Sequence, residues 1–260
     1  MKPRDAWASA TAPLHAPPSF VIIGAQRSGT SSLYQWLGAH PAVLPTAAPE
    51  VHYFDDAYER GRHWYRAQFP MRRPGRTTGE STPFMLFHPL APGRAVRELP
   101  ERTKFIVLLR DPVQRALSHY WYTRARGLET EPLARALDLE PARTRGEMER
   151  LLNGEPSPNL HRFSYVARGE YAPQLKRWFD MVGSQRVLVL ESERLFSQQS
   201  QREVTDFLRL APHPTPFPWA NQAARTDGQD PEEVLVRLRE HFAPFNRELF
   251  ELLGATMWGA

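Results

Sequence analysis

Phe20-Val-Ile-Ile-Gly-Ala-Gln-Arg-Ser-Gly-Thr-Ser-Ser-Leu33 decides the fold. The apolar run Phe20–Ile23 predicts a buried strand, and Gly24 ends it. From about Gly29 the spacing of Leu33, Trp36 and Leu37 predicts one face of a helix. A strand, a glycine-bracketed turn and a helix start form an anion cradle, because the free N–H groups of the first helical turn and the positive end of the helix dipole face the turn. Gly24 and Gly29 permit close backbone approach. Gln26 lies in the turn, Arg27 places a permanent positive charge at its centre, and Ser28, Thr30, Ser31 and Ser32 add hydroxyls. The two glycines have the G-x-x-x-x-G spacing of a nucleotide-binding P-loop, but Thr30 stands where a P-loop kinase has its lysine. A charge in mid-turn suits a single terminal phosphate.

The rest of the chain fits a soluble α/β protein. At 260 residues it is long enough for one large domain with a full core, and 41% hydrophobic with 24% charged residues is ordinary for a soluble protein. A net charge of +4 favours an anionic ligand but is too mild to require nucleic acid. With no cysteine, disulfides and thiolate metal sites are excluded. Residues 1–19, rich in Pro, Ala, Ser and Thr, are expected to be a flexible leader without the apolar core of a signal peptide, and residues 20–260 a single domain. No apolar run approaches a membrane span, so a cytoplasmic location is expected.

Two further stretches carry chemistry. In Lys104-Phe-Ile-Val-Leu-Leu-Arg-Asp-Pro-Val-Gln-Arg-Ala-Leu-Ser118, the run Phe105–Leu109 predicts a central parallel strand, and Asp111-Pro112 a capped helix start. Arg110 then lies at a strand's carboxyl end, where open α/β sheets bind ligands. Arg110 and Ser118 are placed to grip a phosphate together, unless Arg110 pairs with a nearby acid. In Pro49-Glu-Val-His-Tyr-Phe-Asp55, a strand or extended loop puts Glu50 and His52 on one side and Val51 and Tyr53 on the other. A carboxylate beside an imidazole suits general-base work; a polar surface is the alternative. Thr77–Pro83 reads as polar and turn-like, residues 127–160 as a lid or a solvated insertion, and Pro231–Leu253 as a helix interrupted near Pro244. Strands Arg186–Leu190 and Phe105–Leu109, alternating with helical patterns, give a P-loop-like central parallel β-sheet flanked by helices.

Together these motifs resemble the sulfotransferases that use 3′-phosphoadenosine 5′-phosphosulfate (PAPS). Gly24–Leu33 is similar to that family's loop for the 5′-phosphosulfate, and Leu109–Ser118 to its 3′-phosphate motif. Pro49–Asp55 resembles the Lys-Glu-x-His-Phe-Phe-Asp segment of the heparan sulfate 3-O-sulfotransferase branch, where the Glu is taken as base. Gly79-Glu-Ser-Thr-Pro83, Gly169-Glu-Tyr171 with Trp178, and Val187–Leu195 are similar to further landmarks. The resemblance implies a sulfotransferase fold. It implies Glu50 as general base with His52 and Arg27 as catalytic partners. Gln26, Arg27, Ser28, Gly29, Thr30, Ser31, Ser32, Arg110, Ser118 and Arg225 would bind PAPS, with its desulfated product adenosine 3′,5′-bisphosphate (PAP) released and no metal required. Departures point away from a heparan enzyme and toward a bacterial-type relative: Arg27 replaces a usual lysine, Ser81 stands where a lysine is expected, and residues 221–226 hold only Arg225 as a basic residue. The acceptor is expected to bear a hydroxyl on a sugar, lipid or natural product. Two other readings stay open: a P-loop small-molecule kinase, and a non-catalytic nucleotide- or polyanion-binding module.

Overall fold

The apolar run Phe20–Gly24 is strand β1, buried throughout, in a computed structural model that describes residues 11–46, 48–213, 215, 217 and 230–258. It is followed by α1 (Thr30–Gly38), β2 (Val43–Leu44), α2 (Gly61–Arg66), β3 (Thr77–Ser81), α3 (Ala91–Glu98), β4 (Lys104–Leu109) and α4 (Pro112–Ala125). The insertion between α4 and the next core helix folds as α5 (Leu133–Arg143), α6 (Glu147–Leu152) and α7 (Pro158–Phe163). Then come α8 (Tyr171–Val182), β5 (Val187–Glu191), α9 (Gln198–Leu208) and α10 (Glu232–Leu253).

All strand pairs are parallel, in the order β2-β3-β1-β4-β5. Side chains alternate across β1, so its two faces feed two cores. Val21 and Ile23 join Phe105, Val107 and Trp178 on one side, and Phe20 and Ile22 join Leu33, Trp36, Ile106 and Leu108 on the other. Helices cover both faces, as a sheet with such continuous apolar strands requires. From β1 the chain runs first to β2 and β3 on one side and then to β4 and β5 on the other. The carboxyl end of β1 is therefore the point where the strand order reverses, the usual ligand position in open α/β sheets.

Three expectations are corrected. Thr77–Pro83 does not begin as a turn: Thr77–Ser81 is the strand beside β1, with Phe20 paired to Gly79 and Val21 to Glu80. A Cβ on Gly79 would lie 2.5 Å from the Phe20 carbonyl oxygen, so glycine allows this approach. The final helix is continuous through Pro244. Val234, Leu238 and Phe242 before the proline, and Leu249 after it, are all buried, and this anchorage on both sides outweighs the missing N–H. The described part of the expected leader is tied down: Ala12 and His15 are buried, His15 Nδ1 lies 2.5 Å from the Phe69 carbonyl, and the Ser19 amide donates to Thr78 O. Among the described residues no helix is long and apolar enough to cross a membrane.

Candidate functional site

The phosphate-type loop joins β1 to α1. Gly29 precedes the helix with φ 87°, a left-handed angle that glycine takes without steric cost. No side chain caps this helix and no acid lies in its first turn, which leaves its N-terminal amides open to an anion. At α4, by contrast, the Asp111 side chain accepts from the Gln114 amide at 2.9 Å, the cap expected from the Asp-Pro pair. Of these two helix starts, the one without a side-chain cap follows the glycine loop. Ser192 Oγ, from the turn after β5, donates to Ser28 O at 2.9 Å and braces the loop. Thr30 and Ser28 are buried, Ser31 is exposed and Ser32 is half-buried.

Arg27, Arg110 and Ser118 come together as expected, but with different pairing. Arg27 Nε donates to Ser118 Oγ at 3.1 Å, so Ser118 already serves the loop arginine. Arg110 Nη1 reaches Arg27 O at 3.5 Å, and Arg110 Nε lies 3.5 Å from Glu193 Oε1. The acid beside Arg110 is therefore Glu193 of the turn after β5. Tyr171 OH donates to Arg110 O at 3.0 Å and fixes the backbone there. The Arg27 guanidinium lies 4.5 Å from the centre of the Tyr122 ring, and Arg126 lies 4.1 Å from the same ring. Burial, reinforced by the facing Arg110 and Arg126 and opposed by Tyr122, leaves Arg27 with a lowered pKa. Crowding three guanidinium groups around one loop is unfavourable in water-excluded surroundings, and an anionic ligand relieves it.

The segment after Pro49 is a turn rather than a strand, with His52 at φ 53°. Arg27, at φ 71°, is likewise left-handed. Two of the three non-glycine residues with positive φ among those described thus carry predicted roles, and such strain persists only where surrounding contacts enforce it. Glu50 and His52 do share one side: His52 Nε2 lies 3.0 Å from Glu50 Oε2, while Nδ1 lies 2.8 Å from Asp55 Oδ2. Tyr53 and Phe54 face the core. The turn is seated beside the loop, because the Ser81 amide donates to Pro49 O and the Thr82 amide to Ile22 O. Thr82 Oγ1 donates to the buried Glu80 carboxylate at 2.8 Å, and Tyr65 OH donates to it at 2.5 Å. Burial raises the Glu80 pKa to about 7 despite those two bonds.

Burial alone pushes the His52 pKa down, but the hydrogen bonds to Asp55 and Glu50 outweigh it and raise the value to about 10. With an acceptor at each nitrogen, the ring is a doubly protonated imidazolium at neutral pH and has no lone pair to take a proton. The stability consequence has a definite sign. His52 binds its proton more tightly when folded, so its contribution is full below about pH 6.5, the ordinary histidine value, and is lost as pH rises through about 10. Denaturant midpoints from pH 6.5 to 10 are expected to fall more steeply for the wild type than for His52→Gln. Parallel curves would refute the imidazolium.

Sequence reasoning missed several contributors. Arg168 before α8 and Tyr122 and Arg126 at the end of α4 are unremarkable until the fold brings them to the loop, and Tyr171 and Glu193, although inside the Gly169–Tyr171 and Val187–Leu195 landmarks, carry no assigned role there. His161 of α7 places Nε2 3.2 Å from Asp56 Oδ1, with its ring 6.2 Å from that of His52. This brings part of the insertion to the Glu50–His52 turn. Arg225 lies outside the described residues.

The chain has recognisable relatives. The family model for the sulfotransferase domain matches residues 17–226. Human heparan sulfate glucosamine 3-O-sulfotransferase 3B1 is 30% identical over 262 residues, covering 91% of this chain and 63% of that protein. Human heparan sulfate glucosamine 3-O-sulfotransferase 6 is also 30% identical, covering 93% of this chain and 74% of the relative. The chain thus spans somewhat under two thirds of the length of the 3B1 enzyme. A crystal structure of a sulfotransferase from Alicyclobacillus acidocaldarius superposes with a TM-score of 0.75 at 27% identity, covering 92% of this chain and 97% of that one.

Proposed function

Since this chain belongs to the sulfotransferase domain family, we propose that it transfers the sulfuryl group of PAPS to a hydroxyl of a carbohydrate or small-molecule acceptor. Its parallel sheet and flanking helices are the sulfotransferase fold. One observation carries the reading: Arg27 meets Arg110 and Ser118, 83 and 91 residues further along the chain, at a helix N-terminus that no side chain caps. A donor with phosphates at both ends of an adenosine fits such a set of cations and amides.

The donor supplies an activated sulfuryl group on a phosphate leaving group. The protein supplies the rest. Arg27 and the open amides of α1 stabilise negative charge on the departing phosphate. Arg110, with Ser118, holds the 3′-phosphate and so distinguishes this donor from ATP. Glu50 accepts the proton of the acceptor hydroxyl: Oε2 is engaged by His52, which leaves Oε1 for that proton. His52, an imidazolium held by Asp55, orients Glu50 and adds positive charge. The relatives' names specify a glucosamine acceptor, which favours a sugar hydroxyl here.

Calorimetric titration tests the donor. PAP is expected to bind at least about tenfold more tightly than ADP, the scale of one charge-assisted phosphate contact. A preference for ADP would overturn the sulfuryl-transfer reading in favour of a kinase.

A further inference from the structure

Gln26 and Arg168 are 142 residues apart, yet Arg168 Nη1 donates to Gln26 Oε1. Arg168 lies in the turn Ala167–Gly169 that leads into α8 and is 3% exposed. Its Nη2 donates to Leu160 O at 2.9 Å, and its guanidinium stacks 4.5 Å over the Phe84 ring. One side chain therefore connects three segments of the site: the phosphate-type loop, the end of the insertion that carries His161, and the stretch leaving β3. Among the described residues no carboxylate lies within ion-pair distance of it. Burial, and after it the neighbouring Arg115, lower its pKa to about 9, which keeps it charged at neutral pH.

A guanidinium has five donors and no acceptor. The Gln26 amide can meet it only with its oxygen, and the other arm of the amide is then the Nε2 donor pair, which has no partner among the described residues. Without Arg168 either arm of the amide is free to turn inward, and a carbonyl oxygen beside Arg27 would repel an anion. We propose that Arg168 is a positioning residue that locks the Gln26 amide so that the loop presents N–H donors, not a carbonyl, to the donor's anionic group. This rests on the sulfuryl-transfer reading only for the identity of that anion.

A double-mutant cycle on PAP affinity tests it. Gln26→Leu and Arg168→Met are each expected to weaken PAP binding at least about tenfold, the usual scale of one hydrogen bond to a charged group. The double variant should be no weaker than either single one, because both remove the same donors. Multiplied losses in the double variant would overturn the proposal and leave Arg168 as a brace. Should Arg168→Met not fold, Gln26→Glu decides. A carboxylate accepts from Arg168 as well as an amide does, so its melting temperature should hold or rise. PAP affinity should nonetheless fall at least tenfold, and Arg168→Lys should retain most wild-type affinity. Gln26→Glu binding PAP like the wild type would refute the idea. A wild-type chain that prefers ADP overturns the sulfuryl-transfer reading instead, and the same cycle run with ADP then judges Arg168 separately.

Discussion

Glu50→Gln is expected to leave PAP affinity within about twofold of wild type while lowering kcat at least about a hundredfold, the usual scale for a lost general base. The substitution keeps shape and keeps an oxygen for His52 Nε2, now 3.0 Å from Glu50 Oε2, so the turn and its bond to Asp55 should survive. What disappears is the half-exposed carboxylate oxygen Oε1 of Glu50, which no described residue engages. His52 is committed through both nitrogens, and Asp55 is buried and engaged by His52 and by the Asp56 amide. PAP binding is expected to be spared because the described groups assigned to it lie on the loop, at the carboxyl end of β4 and on α4. Transfer of labelled sulfuryl groups into a pooled metabolite extract gives the rate. Full activity in this variant would move the base elsewhere, and a matching loss of PAP affinity would mean that Glu50 shapes the donor site.

The parts of the fold that could be read in advance are those where one physical signal dominates. Phe20–Ile23 and Phe105–Leu109 are continuous apolar runs, the usual mark of strands buried on both faces. The Asp111-Pro112 cap is local chemistry and needs no tertiary knowledge. β3 escaped because its residues are polar: Thr78, Glu80 and Ser81 are buried, and Glu80 is satisfied by the adjoining Thr82 together with Tyr65 of α2. Local pattern cannot announce a strand whose hydrogen-bond partners are supplied by tertiary structure. The same limit applies to the site. Arg27, Arg110 and the Glu50–His52 pair were legible from strand ends and spacing. Arg168, Tyr122 and Glu193 gain meaning only from what they touch. Ser118 lay between the two cases: its residue type and spacing pointed to the phosphate region, but its bond to Arg27 is a fact of packing.

Arg110→Ala separates the two ends of the donor. Arg110 sits at the carboxyl end of β4 with its guanidinium against Arg27 O and Glu193. Removing it forfeits one partly exposed ion pair, a contact of roughly 0–1 kcal/mol, so the melting temperature should change little. Loss of a charge-assisted contact to a phosphate is larger, about 1.5–3 kcal/mol, or about tenfold to a hundredfold in PAP affinity. ADP carries no 3′-phosphate, and its weaker binding should change by less than about twofold. Arg27→Ala provides the contrast. It strips charge from the loop itself and frees Ser118 Oγ, so it should weaken both ligands together. The two variants thus give different patterns from arginines that touch each other. If Arg110→Ala weakened ADP as much as PAP, both arginines would be holding one phosphate, and the assignment of the 3′-phosphate to Arg110 would fall.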